Sequence, residues 1–310
     1  MAVSETGPTG ATRWKEEAWK EAAGVVGREP CFGAVWVGGG PGAATGDTCD
    51  PCTLAGGLIE IVPRGLLGVV SAVGSGRHPA VLARDVTALD VVSGGRAAVL
   101  LRPTGPAPDG GASGGEADQR VAEAVAVCRA VMTEESPLFE GRHYHVAGAV
   151  NRPGPVRPGG PPLVVDLSFS VPVAAAAAGD PFPGTPAARE RAAAPPLGSV
   201  PLPERVARLA AMADAVVVAG GADMVAACRA AVGRADGDRG ALLWRGALGS
   251  GGAGLEAAAD EAAELLDAGA DGLVVTVAGT DGGVPATVGG LAGAVAWLAA
   301  ALGPLVGRRW

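Results

Sequence analysis

The sequence is poor in aromatic residues, which make up 4% of it and include a single tyrosine. It has few histidines, three in 310 residues, and its net charge is −8. An acidic chain without a basic stripe lacks the lysines and arginines that neutralise phosphates, so we expect no nucleic-acid partner. Apolar runs are short as well, and none approaches the ~20 residues that cross a bilayer, so we expect no membrane insertion.

The cysteines give no sign of a disulfide framework. There are five, an odd number, and the polar residues 1–12 contain no apolar core of a secretion signal. We therefore expect reduced thiols and a soluble, cytoplasmic protein. Cys49 and Cys52 form a C-x-x-C motif, but redox chemistry there would need a lowered thiol pKa, and zinc binding would need a second cysteine pair.

Short apolar segments alternate with amphipathic ones along the chain, which is typical of parallel βα units. Seven strands are predicted, at 34–37, 66–73, 97–101, 163–167, 215–218, 241–244 and 272–277. Helices are predicted around them, at 13–26, 53–61, 79–92, 116–132, 203–212, 224–232, 255–266 and 291–302. Residues 134–162 are predicted to be irregular, and two biased segments are predicted to be flexible loops, near 103–115 and 171–198.

An eighth strand would complete a (β/α)8 barrel of the TIM type, and the chain is long enough for one such domain over residues 1–310. The first strand has no clear candidate, because only the polar residues 1–12 precede the first predicted helix. The barrel is therefore either incomplete at this seam or closed there by residues 1–6. The structural alternative is an open, doubly wound sheet.

Two segments go beyond generic βα patterning. The first is GRHPAVLARDVTALDVVSGGR at 76–96, and the second combines CRA at 128–130, TEESP at 133–137, FEGRHY at 139–144, NRP at 151–153 and PGGPP at 158–162. Both resemble the luciferase-like monooxygenase family, including its deazaflavin (F420)-dependent members. The resemblance runs over roughly residues 17–302, and WVG at 36–38, DP at 50–51 and AGADG at 268–272 agree with it.

The resemblance implies a site at the carboxyl ends of the barrel strands, here called the barrel mouth. It implies FMN or F420 as cofactor, a small-molecule substrate, and a homodimer or a heterodimer with a related barrel. The cofactor contacts that it implies are Gly38, Gly39, Ser71, Ala72, Val73, Arg102, Asp166 and Ser168. It identifies no catalytic acid or base, and we predict no metal site, since His143 and His145 have no evident third ligand.

Three of these positions depart from the family pattern. Gly39 stands where family members often begin an Asp-His pair. Arg102 stands where the family has small glycines against the ring, and would either fill the ring's space or place a cation beside it. Asp166 stands where the family tends towards glycines, and its carboxylate would repel a phosphate.

Two hypotheses follow from the resemblance and its departures. The chain is either an oxidoreductase or monooxygenase that uses FMN or F420, or a catalytically degenerate barrel without cofactor that acts as a structural or activating partner subunit. The two differ in what Arg102 and Asp166 do. An ion pair between them that plugs the barrel mouth would exclude a cofactor.

Overall fold

A computed structural model of the chain describes residues 2–4, 16–38, 50–74, 77–103, 114–168, 200–233, 240–246, 255–278 and 299–300. The predicted loop at 171–198 and most of the one at 103–115 lie outside these ranges. So do Gly39 and Cys49, and all of the predicted helix at 291–302 except residues 299–300.

The described chain alternates strands and helices. The strands are β1 (Ala2–Ser4), β2 (Ala34–Val37), β3 (Leu66–Val73), β4 (Ala97–Pro103), β5 (Leu138–Glu140), β6 (His145–Ala147), β7 (Leu163–Asp166), β8 (Ala215–Val218), β9 (Ala241–Gly246) and β10 (Gly272–Ala278). The helices are α1 (Glu16–Arg28), α2 (Pro51–Gly57), α3 (Pro79–Val92), α4 (Gly114–Thr133), α5 (Leu202–Ala210), α6 (Ala222–Val232) and α7 (Leu255–Asp267).

Eight of the strands close into a parallel barrel, in the order β1-β10-β9-β8-β7-β4-β3-β2. This confirms the predicted TIM-like barrel and rules out the open, doubly wound sheet. The uncertain seam is bridged by β1, which pairs with β10 over three residues and with β2 over two. A strand of three residues has no alternation that a sequence pattern could reveal.

Residues 134–162 are not wholly irregular, contrary to the prediction. They contain the antiparallel hairpin of β5 and β6, in which Phe139 lies opposite Val146. Each of these strands is three residues long, too short for a detectable period. No helix among the described residues has the length and apolar character needed to cross a bilayer.

The buried residues form two clusters, one on each face of the barrel sheet. The smaller cluster fills the barrel interior and includes Leu100, Val164 and Val217, with Leu243 packed against it. The larger cluster lies between the barrel and its helices. Successive strand residues point to opposite faces, so the residue two positions after an interior residue also points inward.

The amino ends of the strands are tied to the helices by two similar contacts. Asp214, just before β8, accepts the Leu163 backbone N–H at 2.7 Å and binds Arg129 of α4 at 2.7 Å. Asp271, just before β10, accepts the Leu242 backbone N–H at 2.7 Å and binds an arginine of α6, Arg229. These contacts fasten the end of the barrel opposite the mouth.

Candidate functional site

Three charged side chains meet inside the barrel at its carboxyl end. By strand alternation, Arg102 follows Leu100 inward on β4, Asp166 follows Val164 on β7, and Arg245 follows Leu243 on β9. We call these three residues the interior cluster. It is the last inward layer of these strands, so it borders the barrel mouth.

Asp166 is the centre of the interior cluster and is fully buried. Its Oδ2 lies 2.5 Å from Nη1 of Arg245 and 3.5 Å from Nε of Arg102. Its Oδ1 accepts two hydrogen bonds from Ser168, from the backbone N–H at 3.0 Å and from the hydroxyl at 2.5 Å. The carboxylate is therefore held on both oxygens.

The electrostatics of the interior cluster are those of charges removed from water. The pKa of Arg102 is lowered to about 10, because burial and the neighbouring charge of Arg245 lower it by more than Asp166 raises it. Arg102 stays protonated at neutral pH, but its charge is poorly solvated. A group that brings negative charge to the mouth would restore part of the lost solvation.

The expectation that Asp166 would repel a phosphate changes in this setting. Two guanidinium groups and the Ser168 hydroxyl already surround its carboxylate. The three charged side chains of the interior cluster carry one positive charge more than negative. An anion at the mouth therefore meets a surface that attracts it.

The ion pair between Arg102 and Asp166 forms, as one of the two hypotheses requires. It lies within the packed interior, however, beside strand-end residues that keep partial exposure: Gly38, Ala72 and Ser168. A filled interior is normal for a barrel of this type, whose sites lie above the packed layers. The pair therefore forms the floor of the barrel mouth.

The remaining predicted site residues divide between the two faces of β3. Ala72 pairs in register with Arg102 and faces the interior, whereas Ser71 and Val73 have the opposite orientation. Val73 packs in the cluster between the barrel and the helices. Gly38 follows β2, where a Cβ atom would overlap the side chain of Val70. Glycine thus allows β2 and β3 to approach closely at the mouth.

Arg245 was missed by sequence reasoning. The predicted strand ended at Trp244, whereas β9 continues to Gly246. Extending the alternation of Leu243 by one more step would have placed Arg245 inside the barrel. A basic residue at an inward position is the signal that could have found it.

Of the two cysteines of the C-x-x-C motif, the structure describes Cys52, whose thiol lacks the lowered pKa that redox chemistry needs. Cys52 lies in the first turn of α2, but burial raises the pKa of its thiol to about 12, and the negative charges of Asp50 and Asp85 contribute. Reactive thiols have lowered pKa values. No group of three or more metal-ligating side chains occurs within the described ranges.

The model of the luciferase-like monooxygenase family matches residues 16–237. The chain belongs to this family. No curated protein gives a match to it.

Solved structures share the fold over nearly the whole chain. The monooxygenase RslO1 from Streptomyces bottropensis has a TM-score of 0.62 at 17% identity, over 98% of this chain and 99% of that one. The F420-dependent tetrahydromethanopterin reductase from Methanopyrus kandleri has a TM-score of 0.65 at 12% identity, over 98% of both chains. An F420-dependent secondary alcohol dehydrogenase, solved with an F420-acetone adduct, has a TM-score of 0.61 at 10% identity, over 88% of this chain and 90% of that one.

Proposed function

We propose that this protein is an oxidoreductase of the luciferase-like family that binds FMN or F420 at the barrel mouth and acts on a small-molecule substrate. The observation that carries the proposal is the interior cluster, which presents an excess of positive charge beneath partly exposed strand ends. Both cofactors carry phosphate, and their reduced rings carry negative charge, so the donor set fits either of them.

Each part of the proposed site has a defined task. Gly38, Ala72 and Ser168 would border the ring, and Arg102 and Arg245 would lie beneath it. The bound cofactor supplies the hydride or oxygen chemistry, while the chain binds it, orients it and excludes water. We also propose a single barrel domain over residues 1–310 that pairs with a second barrel, of its own or a related kind.

The test is a titration of the purified protein with FMN and with F420, followed by fluorescence quenching and binding heat. We expect micromolar binding of one of them. Arg102→Glu reverses a charge at the floor of the mouth and should weaken binding at least tenfold, whereas Arg229→Glu at the opposite end of the barrel should leave it unchanged. Absence of binding by the wild type up to high micromolar concentration would overturn the proposal.

A second candidate is the catalytically degenerate partner subunit. It is favoured by the ion pair of Arg102 and Asp166, which occupies interior space where the family has small residues. This candidate predicts that neither cofactor binds the isolated chain. It also predicts a stable mixed dimer with a related, cofactor-binding barrel when the two chains are co-expressed.

A further inference from the structure

The interior cluster links three strands of the barrel. Arg102 comes from β4, Asp166 from the adjacent β7, and Arg245 from β9, which lies beyond β8. The contact between Asp166 and Arg245 joins residues 79 positions apart in the sequence. The charges at the floor of the mouth are therefore fixed by the barrel itself and do not depend on the loops above it.

Several contacts hold the cluster in place. Both oxygens of Asp166 are engaged, one by Ser168 and the other by the two arginines. Each arginine also takes part in further interactions. Charges that are fixed in advance stabilise a charged state without the cost of reorganising the site.

We propose that Arg102 and Arg245, held in place by Asp166, favour the reduced form of bound FMN over its oxidised form. Adding two electrons and one proton to the neutral oxidised ring of FMN leaves an anion, which two desolvated guanidinium groups attract more strongly than the neutral ring. Asp166 is the positioning residue of this arrangement. The inference rests on the proposed function, since it concerns the cofactor of the same site.

The measured quantity is the ratio of the affinities for reduced and oxidised FMN, determined by anaerobic titration. A contact of the arginines with phosphate would change both affinities equally and leave the ratio unchanged. A contact with the ring's charge changes the ratio. This comparison separates the proposed role from general anion binding.

Arg245→Met removes a cation and should lower the ratio at least tenfold, which corresponds to about 30 mV for a two-electron couple. Arg245→Lys keeps the charge and should restore most of the loss. Arg229→Met is the matched control, because it makes the same substitution in an ion pair at the other end of the barrel, and it should leave the ratio unchanged.

Arg102→Met is the second variant, for the case that Arg245→Met does not fold. It leaves Asp166 paired with Arg245, so no buried carboxylate loses its closest partner. A tenfold fall in the ratio supports the inference. An unchanged ratio in the folded variants overturns the inference while the proposed function stands, and so does a wild type that binds F420 but not FMN. A wild type that binds neither cofactor overturns both.

Discussion

At the scale of single residues, the barrel interior depends on one close approach between β2 and β3. Gly68 lies opposite Trp36 in the parallel ladder, and the indole ring occupies the space that a Cβ atom of residue 68 would need. Trp36 is itself buried, so its ring cannot move aside without disturbing the interior. Glycine is required here by packing and not by backbone conformation.

We expect Gly68→Ala to lower the free energy of unfolding by about 1–3 kcal/mol, the usual cost of forcing an extra carbon into a packed core. Urea denaturation measures it. The control is Gly56→Ala in α2, where an added Cβ meets nothing within 4 Å. Alanine is the better helix former, so this variant should be neutral or more stable by up to about 1 kcal/mol. Equal losses in both variants would refute the packing explanation.

Some residues of the candidate site could be predicted from the sequence and others could not. Arg102 and Asp166 were identified because they depart from a family pattern, and the two side chains do meet. The second cation beside Asp166, Arg245, was not predicted, because it is 79 positions away on a strand whose end was placed too early. Pairings across a barrel depend on strand register, which a single sequence does not display.

At the scale of elements, the hairpin of β5 and β6 is fastened to α4 by one carboxylate. Glu123 accepts the backbone N–H groups of Arg142 at 3.0 Å, His143 at 2.8 Å and Tyr144 at 3.2 Å. A side chain on Gly141 would overlap that carboxylate. Burial alone would raise the pKa of Glu123, but the three N–H donors outweigh it and hold the pKa below its usual value.

Glu123→Gln should destabilise the protein by about 1–2 kcal/mol at pH 7, because an amide N–H₂ then faces backbone donors. The lowered pKa means that the carboxylate stabilises the fold fully above about pH 4.5 and loses this effect as the pH falls through the folded-state pKa. The difference in the free energy of unfolding between wild type and variant should therefore narrow as the pH falls below about 4.5. Urea unfolding of wild type and variant from pH 7 to pH 3 measures this difference.

The control for this prediction is Glu135→Gln, which removes a charge from an exposed ion pair with Arg152. Exposed ion pairs contribute little to stability. We therefore expect Glu135→Gln to lower the free energy of unfolding by less than about 0.5 kcal/mol, and we expect this difference not to narrow at low pH. A difference in the free energy of unfolding between wild type and Glu123→Gln that stays constant from pH 7 to pH 3 would show that the Glu123 carboxylate is not the group that titrates.

Elements with a clear period and clear ends were predicted to the residue, as β2, β3, α3 and β8 show. The start of α2 was placed two residues late. Its true beginning is set by Asp50, whose side chain accepts the Thr53 N–H at 2.9 Å, and by Pro51 in the first helical position. The three-residue strands β5 and β6 were missed, and β1 was only one of two alternatives for the seam, because the existence of such short strands depends on partners elsewhere in the chain.

At the scale of the whole molecule, the segment that most resembles the family is scaffold. Asp90 is buried and accepts the backbone N–H groups of Ala97 and Val156. Asn151 donates to the Thr87 hydroxyl and to the Val131 carbonyl. These contacts join α3, α4 and the segment before β7. The sequence therefore identified the family and the barrel through residues that build it, while the residues at the mouth, which decide the chemistry, are those that differ.

A buried ion pair joins helices α4 and α5. Arg205 binds Asp118 through two hydrogen bonds of 2.6 Å, across 87 positions of sequence, and both side chains are almost inaccessible to water. Removing two charges from water costs nearly as much free energy as their mutual attraction returns. Such a pair therefore adds little net stability and mainly favours one arrangement of the two helices.

Breaking the pair on one side should therefore be costly, and replacing both partners should not. We expect Asp118→Asn to lower the free energy of unfolding by about 3–5 kcal/mol, because it leaves the Arg205 charge buried without a counter-charge from Asp118. The double variant Asp118→Leu with Arg205→Met should recover most of that loss. Urea unfolding followed by far-UV circular dichroism measures both. A double variant as unstable as the single one would mean that the pair itself holds α4 and α5 together, and that the barrel depends on this charge contact and not only on its apolar core.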